Sequence, residues 1–422
     1  MSTSQSYDLF VASLKGKRVL VVGLGLQGGG IGVARYFAQH GCIVTVTDIK
    51  KHNELSQSVD ALSKFPSITF HLDGHREADF LNADLIIKGP SVRWDNALIQ
   101  IAVKAGIQIA METALFVKYA PCKTIGITGT RGKSTTTHTI YQVLKKLYTK
   151  GQVYMSGNVP GACALELLDI VTVKDVAVLE LSSWQLSGFH HEHVSPHIAV
   201  FTNIYPDHLN YYPTMVEYEY DKNAIFQYQS NEQVFIDGRK IQSSSHHDHN
   251  AQCAKAACIA LLGSSYSSSI DELLRMVPGL PMRQQVVGQI GDITIINDST
   301  STTPIALETA LKTFTDKPII LIMGGNAKNL PYRGLISTIQ SSTHIRKIYC
   351  MPGSFSNEVI DHIHGVLIAD FELLVRTAVQ TARELNEPSY LLFSPGATSF
   401  AQFKNEFDRG TRFNTVISDI IK

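Results

Sequence analysis

Short apolar runs recur along the chain, and stretches with helical spacing separate them. RVLVV at 18–22 reads as a strand, followed by glycine-rich punctuation and an amphipathic stretch at 31–39 with helical spacing. IVTVT at 43–47 reads as a second strand ending at Asp48, and 84–87 as another. The pattern restarts at KTIGIT, from Lys123, which runs into a second glycine-rich loop and then a helix from about Lys133. VAVLEL at 176–181 and IAVFT at 198–202 lack alternation, as expected of strands covered on both faces. The stretch 215–227 reads as a helix and QSSSHHDHN at 242–250 as a solvated loop. A third set of strands is expected at 293–296, 319–323, 348–351 and 390–393. Alternating strands and helices imply parallel sheets with helices on both faces. The fold class is therefore α/β. Boundaries near residues 112 and 281 would divide the chain into domains at 1–112, 113–280 and 281–422.

Composition narrows the function classes. The chain has 422 residues, 44% of them hydrophobic, which is enough for sizeable cores and excludes a mostly disordered protein. Thirty-seven basic residues balance 37 acidic ones, so no global field attracts nucleic acid or an anionic membrane, and any anion site must be local. No apolar run approaches the ~18–20 residues that cross a bilayer, and the first ten residues lack a signal-peptide pattern. Six scattered cysteines without a CxxC pair read as reduced thiols of a cytoplasmic protein.

Two glycine-rich loops carry the chemistry. Gly129-Thr130-Arg131-Gly132-Lys133-Ser134 lies between a strand and a helix. Its glycines let backbone N–H groups curl around phosphate oxygens, Lys133 can reach the outer phosphates, and a hydroxyl of Ser134 or Thr135 can hold Mg²⁺. The first loop, 23–28, matches GxGxxG through Gly23, Gly25 and Gly28, with Leu26 and Gln27 between, and Asp48 ends the next strand. Alone it fits a dinucleotide such as NAD. The second loop shifts the balance toward an enzyme using ATP and another nucleotide, since a UDP-sugar diphosphate makes the same demand.

Further strings resemble those of the Mur ligase family, in particular its MurD type. They are GTRGKST at 129–135, Gly157-Asn158, LELSSWQL at 179–186, TNIYPDHL at 202–209, GLPMR at 279–283, NDS at 297–299, Gly324-Gly325 and SPGATSFAQFKN at 394–405. The resemblance covers nearly the whole chain. It implies three domains: a Rossmann-like UDP-binding domain, a central P-loop ATPase domain, and a Rossmann-like domain for the incoming amino acid. It also implies ATP-dependent amide formation through an acyl phosphate, with D-glutamate added to UDP-N-acetylmuramoyl-L-alanine. By resemblance, Lys133, Glu180, His208 and Lys222 are catalytic. ATP is bound by Gly129, Thr130, Gly132, Lys133, Ser134, Thr135, Asn250, Arg283 and Asp298. Two Mg²⁺ ions are implied, with Ser134, Glu180, His208 and a carbamylated Lys222 around them. Gly25, Leu26, Gln27, Asp48, Asn158, Ser182 and Gln185 fall to the UDP-substrate. Thr302, Lys328 and Ser399 fall to the amino acid, with Ser399 placed at a helix start. The partners implied are small molecules, without nucleic acid or membrane, and the enzyme is expected to be a monomer.

The chain departs from the family pattern in places. Thr300 stands where NDSK has lysine, Cys253 replaces the second asparagine of HNxxN, Glu406 occupies an aromatic position, and Gly28-Gly29-Gly30 is a triple glycine. These bear on which amino acid is added rather than on the reaction type. A sister ligase adding another amino acid such as L-glutamate, or using another acyl acceptor, is the nearest rival; an NAD-dependent dehydrogenase and a catalytically silent nucleotide binder come from other classes. The clusters His190-His191-Glu192-His193 and His246-His247-Asp248-His249 read as solvated loops, because neither has partners at zinc-site spacing.

Overall fold

A computed structural model describes residues 3–25, 28–159, 161–208, 211–243, 245–328, 330–399 and 402–422. Each apolar run becomes a strand because its β-branched residues pack on both faces of a pleated surface. The first sheet holds β1 (Arg18–Val22), β2 (Ile43–Thr47), β3 (Ile68–His71), β4 (Leu85–Lys88) and β5 (Gln108–Ala110) in the order β3-β2-β1-β4-β5. All its pairings are parallel. Along β1 the faces alternate: Val19 and Val21 enter one core, Leu20 and Val22 another.

The second sheet holds β6 (Lys123–Thr128), β7 (Val153–Gly157), β8 (Val176–Glu180), β9 (Ile198–Phe201) and β10 (Val234–Asp237), ordered β10-β9-β6-β8-β7 and again all parallel. One face is covered by the helices Lys133–Leu147 and His246–Leu262, whose Ile140, Val143 and Cys258 meet Ile125 and Val178. The other face shares its core with the first sheet: Val19, Phe37 and Leu115 cluster with Leu179, Leu186 and Phe189.

These two sheets lie in one compact unit, 1–206 with 212–277. A second unit comprises 207–211 and 278–422. It holds β11 (Gln285–Ile290), β12 (Ile293–Asn297), β13 (Ile319–Gly324), β14 (Ile345–Met351), β15 (Val366–Leu367) and β16 (Ser389–Phe393), in the order β11-β12-β16-β13-β14-β15. Only β11 runs antiparallel, as a hairpin on β12. Separate cores cover its two faces.

Three expectations need correction. Residues 246–250 are not loop but the first turns of the helix His246–Leu262, which Ser245 caps by accepting a hydrogen bond from Asp248 N. His190, His191 and Glu192 are not a solvated loop but the last turn of the helix Ser183–Glu192; the His190 ring stacks on Tyr220 and the His191 ring on Trp94. Among the described residues no helix starts at Ser399. The next one, Glu406–Ile421, is capped by Asn405, whose side chain accepts from Phe407 N and Asp408 N.

Candidate functional site

The loop after β6 is shaped by its glycines and clamped from β9. Gly129 has φ +144° and Gly132 φ +80°, backbone conformations that side chains disfavour. A Cβ on Gly129 would collide with Thr202 Oγ1, and one on Gly132 with Asn250 Oδ1. Thr202 Oγ1 donates to Arg131 O at 2.6 Å, Asn203 Oδ1 accepts from Arg131 N at 2.8 Å, and Asn203 O accepts from Thr130 N at 2.9 Å. The strand-end pair Thr202-Asn203 thus fixes the curl. Neither residue's role could be read from the TNIYPDHL string, because the clamp depends on which strand neighbours β6.

Charged groups gather at this loop. Lys133 Nζ donates to Gly129 O at 3.0 Å and Thr130 O at 3.2 Å, at the start of the helix Lys133–Leu147. Lys222, on the helix Met215–Gln227, is 1% exposed and donates to Gly129 O at 2.9 Å. Glu180 ends β8 in register with Ile127 of β6, two residues before Gly129. Its buried carboxylate accepts from Asn158 Nδ2 at 3.0 Å. Lys133, Glu180, Lys222, Asn158 and Asn250 are therefore assembled around one loop, with Ser134 and Thr135 in its first helical turn. Asp207 and His208 group with the second unit. His208 has φ +55°, and its N–H donates to Asp207 Oδ1 at 2.9 Å.

Two neighbours of this constellation gave no signal in the sequence. Lys88, buried at the end of β4, donates to Val92 O at 2.7 Å and lies over the Trp94 ring; burial pushes its ammonium down to about 7. Asp221, beside Lys222, accepts from Tyr212 OH at 2.9 Å, and burial raises its carboxyl to about 6.

At the first loop, Asp48 Oδ2 accepts from Leu24 N at 2.9 Å and Gly25 N at 3.3 Å, while Oδ1 accepts from Lys50 N at 3.0 Å. A dinucleotide enzyme needs the corresponding acid for ribose hydroxyls. Here the carboxylate is committed to the backbone, which removes the main argument for an NAD site. Leu26 and Gln27 lie outside the described residues. Gly28 abuts Gly161, so this loop meets the segment that carries Asn158. Ser182 and Gln185 form a reciprocal helix cap, with Gln185 N donating to Ser182 Oγ at 3.2 Å and Ser182 N to Gln185 Oε1 at 3.0 Å.

In the second unit the loops after β12, β13 and β16 converge at the carboxyl edge of the sheet, where α/β folds bind ligands. Gly396 N donates to Ser301 O at 2.9 Å, and Asn326 bridges Thr398. Lys328 Nζ donates to Thr302 Oγ1 at 3.2 Å, and both line a cavity with Asn326, Tyr332, Phe355 and Glu358. Ser399 Oγ is buried without a hydrogen-bond partner among the described residues. Asp298, also buried, accepts from Ser394 Oγ at 2.7 Å and Gln284 N at 3.1 Å, next to Arg283 in sequence. Desolvation raises its carboxyl to about 7. No group of three or more His, Cys, Asp or Glu side chains placed to hold a metal ion occurs among the described residues.

A parallel-sheet α/β protein with a glycine loop, a buried acid and two lysines at one strand edge belongs to the class of phosphate-handling nucleotide-binding proteins. The chain belongs to the Mur ligase family. The model described as the Mur ligase MurD-like N-terminal domain matches residues 17–111, and that of the Mur ligase middle domain matches 127–271. A UDP-N-acetylmuramoylalanine–D-glutamate ligase of Roseiflexus sp. is 32% identical, with 96% of this chain and 99% of that protein covered. The protein of the same name from Borreliella burgdorferi is 30% identical, over 98% and 100%. Among solved structures, the MurF ligase of Thermotoga maritima in complex with ADP has a TM-score of 0.54 at 14% identity, covering 97% of each chain. A pseudomurein peptide ligase type C of Methanothermus fervidus has 0.52 at 16%, covering 96% and 100%. At those identities the two structures speak for the fold alone.

Proposed function

We propose that this protein is an ATP-dependent amide ligase that adds D-glutamate to UDP-N-acetylmuramoyl-L-alanine, a step of peptidoglycan precursor synthesis. Relatives of that name match over essentially their full length. The observation that carries the chemistry is the seating of Lys133 and Lys222 on the 129–132 loop beside Glu180.

The substrate carboxylate attacks the γ-phosphorus of ATP; the bond to ADP breaks and an acyl phosphate forms. The amine of glutamate then attacks the acyl carbon, loses a proton and expels phosphate. Such a reaction needs positioning and charge neutralisation rather than an enzyme nucleophile. Loop amides and Lys133 hold the phosphates, with Gly129, Thr130, Gly132, Ser134, Thr135 and Asn250 around them. Mg²⁺, two ions in this reading, would be held by Ser134, Glu180, His208 and a carbamylated Lys222, and would offset the charge that otherwise keeps a carboxylate from a phosphate. The donor set fits, since Glu180 is buried and oriented by Asn158, and Lys222 lies at the loop itself. Arg283 and Asp298 serve the nucleotide. Gly25, Asn158 and the helix start at Ser182 and Gln185 take the UDP-sugar, with Asp48 shaping the first loop. Lys328, Thr302 and Ser399 take the carboxylates of glutamate; the Ser399 hydroxyl, without a partner among the described residues, supports this. The division into domains at 1–112, 113–280 and 281–422 is supported by one sheet in each. We take the enzyme to be a cytoplasmic monomer acting on small molecules; no helix among the described residues is long and apolar enough to cross a membrane.

The test is phosphate release from ATP and Mg²⁺ with UDP-N-acetylmuramoyl-L-alanine against a panel of D- and L-amino acids. Release should require the UDP-sugar and be greatest with D-glutamate. A stronger response to L-glutamate would transfer the protein to a sister activity, and release without any amino acid would defeat the ligase reading.

A further inference from the structure

We propose that Thr300 is a positioning residue for Arg283: its hydroxyl holds the left-handed turn Met282–Gln284 on the loop that carries Asp298. The inference rests on the reading that Arg283 serves ATP.

Arg283 stands between two side-chain-bearing residues with positive φ, Met282 at +60° and Gln284 at +46°. Such a pair is disfavoured and persists only where the surroundings over-determine it. Here three of the flanking backbone groups have named anchors. Met282 O accepts from Thr300 Oγ1 at 2.8 Å and from Thr300 N at 3.2 Å. Met282 N donates to Gln285 Oε1 at 2.9 Å, and Gln284 N donates to Asp298 Oδ1 at 3.1 Å. The Met282 side chain packs on Gly410, where an added Cβ would lie 2.8 Å from its Cγ.

The platform under the turn is itself fixed. Arg409, fully buried, donates to Ser299 O at 2.7 Å, Ser299 Oγ at 3.2 Å and Ala397 O at 3.1 Å. Asn297 Nδ2 donates to Gly410 O at 3.0 Å and Asn414 Oδ1 at 2.7 Å. The loop after β12 is thereby locked to the last helix, and the turn bearing Arg283 is locked to that loop at two points, Asp298 and Thr300. The Thr300 hydroxyl can give its single proton to only one acceptor, and that acceptor is Met282 O. This assigns Thr300 to the arginine turn rather than to the amino-acid cavity that begins at Thr302.

The experiment compares Thr300→Val, which removes the hydroxyl at nearly constant shape, with Thr300→Ser, which keeps it, each alone and with Arg283→Ala. Steady-state phosphate release is measured with ATP and with glutamate varied, and thermal unfolding checks folding. Thr300→Val should lower kcat/KM for ATP by about tenfold while KM for glutamate stays within about twofold. Thr300→Ser should stay within about threefold of wild type for ATP, and in the Arg283→Ala background Thr300→Val should change nothing further. A rise in KM for glutamate at unchanged ATP parameters would overturn the proposal and move Thr300 into the amino-acid site. An undiminished effect in the Arg283→Ala background would overturn it as well, in favour of general support of the fold. If Thr300→Val does not fold, loss of ATP kcat/KM by Thr300→Ser in proportion to Arg283→Ala overturns it, and retention upholds it. Wild type without ATP turnover, or an Arg283→Ala variant with intact ATP parameters, overturns the underlying site reading and the proposal with it, whereas a failed Thr300 comparison with both controls intact overturns the proposal alone.

Discussion

At the scale of single residues, the site is built from polar groups buried against backbone. Lys222 and Lys133 both rest on Gly129 O, so the loop's first carbonyl gathers the ends of two lysine side chains. Asp298 shows the cost of such burial. Desolvation raises its carboxyl from 3.8 to about 7, so the folded state holds its proton more tightly than the unfolded chain does. The stabilisation is fully present below about pH 4 and is lost as pH rises through about 7, because the unfolded chain ionises first. The difference is worth up to about 4 kcal/mol. Asp298→Asn should therefore gain on wild type by about 2–4 kcal/mol between pH 4 and 8. Denaturant midpoints of both proteins across that range decide it; a gap that does not move with pH would mean that Asp298 is ionised throughout.

At the scale of elements, the same few atoms end a strand, start a helix and present chemistry. Ser182 follows β8 and caps the helix Ser183–Glu192 in reciprocal bonds with Gln185. Both of its hydroxyl roles are taken, as donor to Gln185 Oε1 at 3.0 Å and acceptor from Gln185 N at 3.2 Å. Ser182→Ala should cost about 1 kcal/mol of stability, the usual worth of an N-cap, and raise KM for the UDP-sugar by less than about threefold. A much larger rise at normal stability would put the hydroxyl on the substrate instead of the cap. Strands were legible wherever β-branched residues ran together, as in β1, β2, β6, β8 and β9, and the curl of the 129–132 loop was legible because glycine positions constrain backbone directly. Edge strands such as β3, β7 and β10 were not read: ITFH, VYMSG and VFID are short, with mixed or half-exposed faces that carry little periodic signal. The left-handed turn at Met282–Gln284 was illegible for another reason. Neither residue favours positive φ, and the anchors lie 14 to 18 positions away at Asp298 and Thr300.

At the scale of the molecule, the first two sheets share one core, and the residues that join them can be set against local propensity. Gly32 sits inside the helix Gly29–Gln39 with ordinary helical backbone, where alanine is favoured by about 1 kcal/mol. Yet a Cβ there would collide with Cys163 Cβ and lie 2.9 Å from its Sγ, on the segment that follows Asn158 and Gly161. Overpacking a fixed contact costs about 1–3 kcal/mol, so packing should outweigh propensity. Beside it, Arg35 Nε bonds Glu166 Oε1 at 2.6 Å, which leaves the helix little room to retreat. Gly32→Ala should therefore lower stability by up to about 2 kcal/mol and weaken UDP-substrate binding, with ADP binding at the 129–132 loop unchanged. Cys163→Gly removes the opposing Cβ. In the double variant the helix gain should reappear, giving a coupling of about 1–3 kcal/mol, the size of the relieved overpacking, in a double-mutant cycle read by denaturant unfolding. Strict additivity would mean that the two sheets adjust freely against each other, and the shared core would then be a contact without a fixed register.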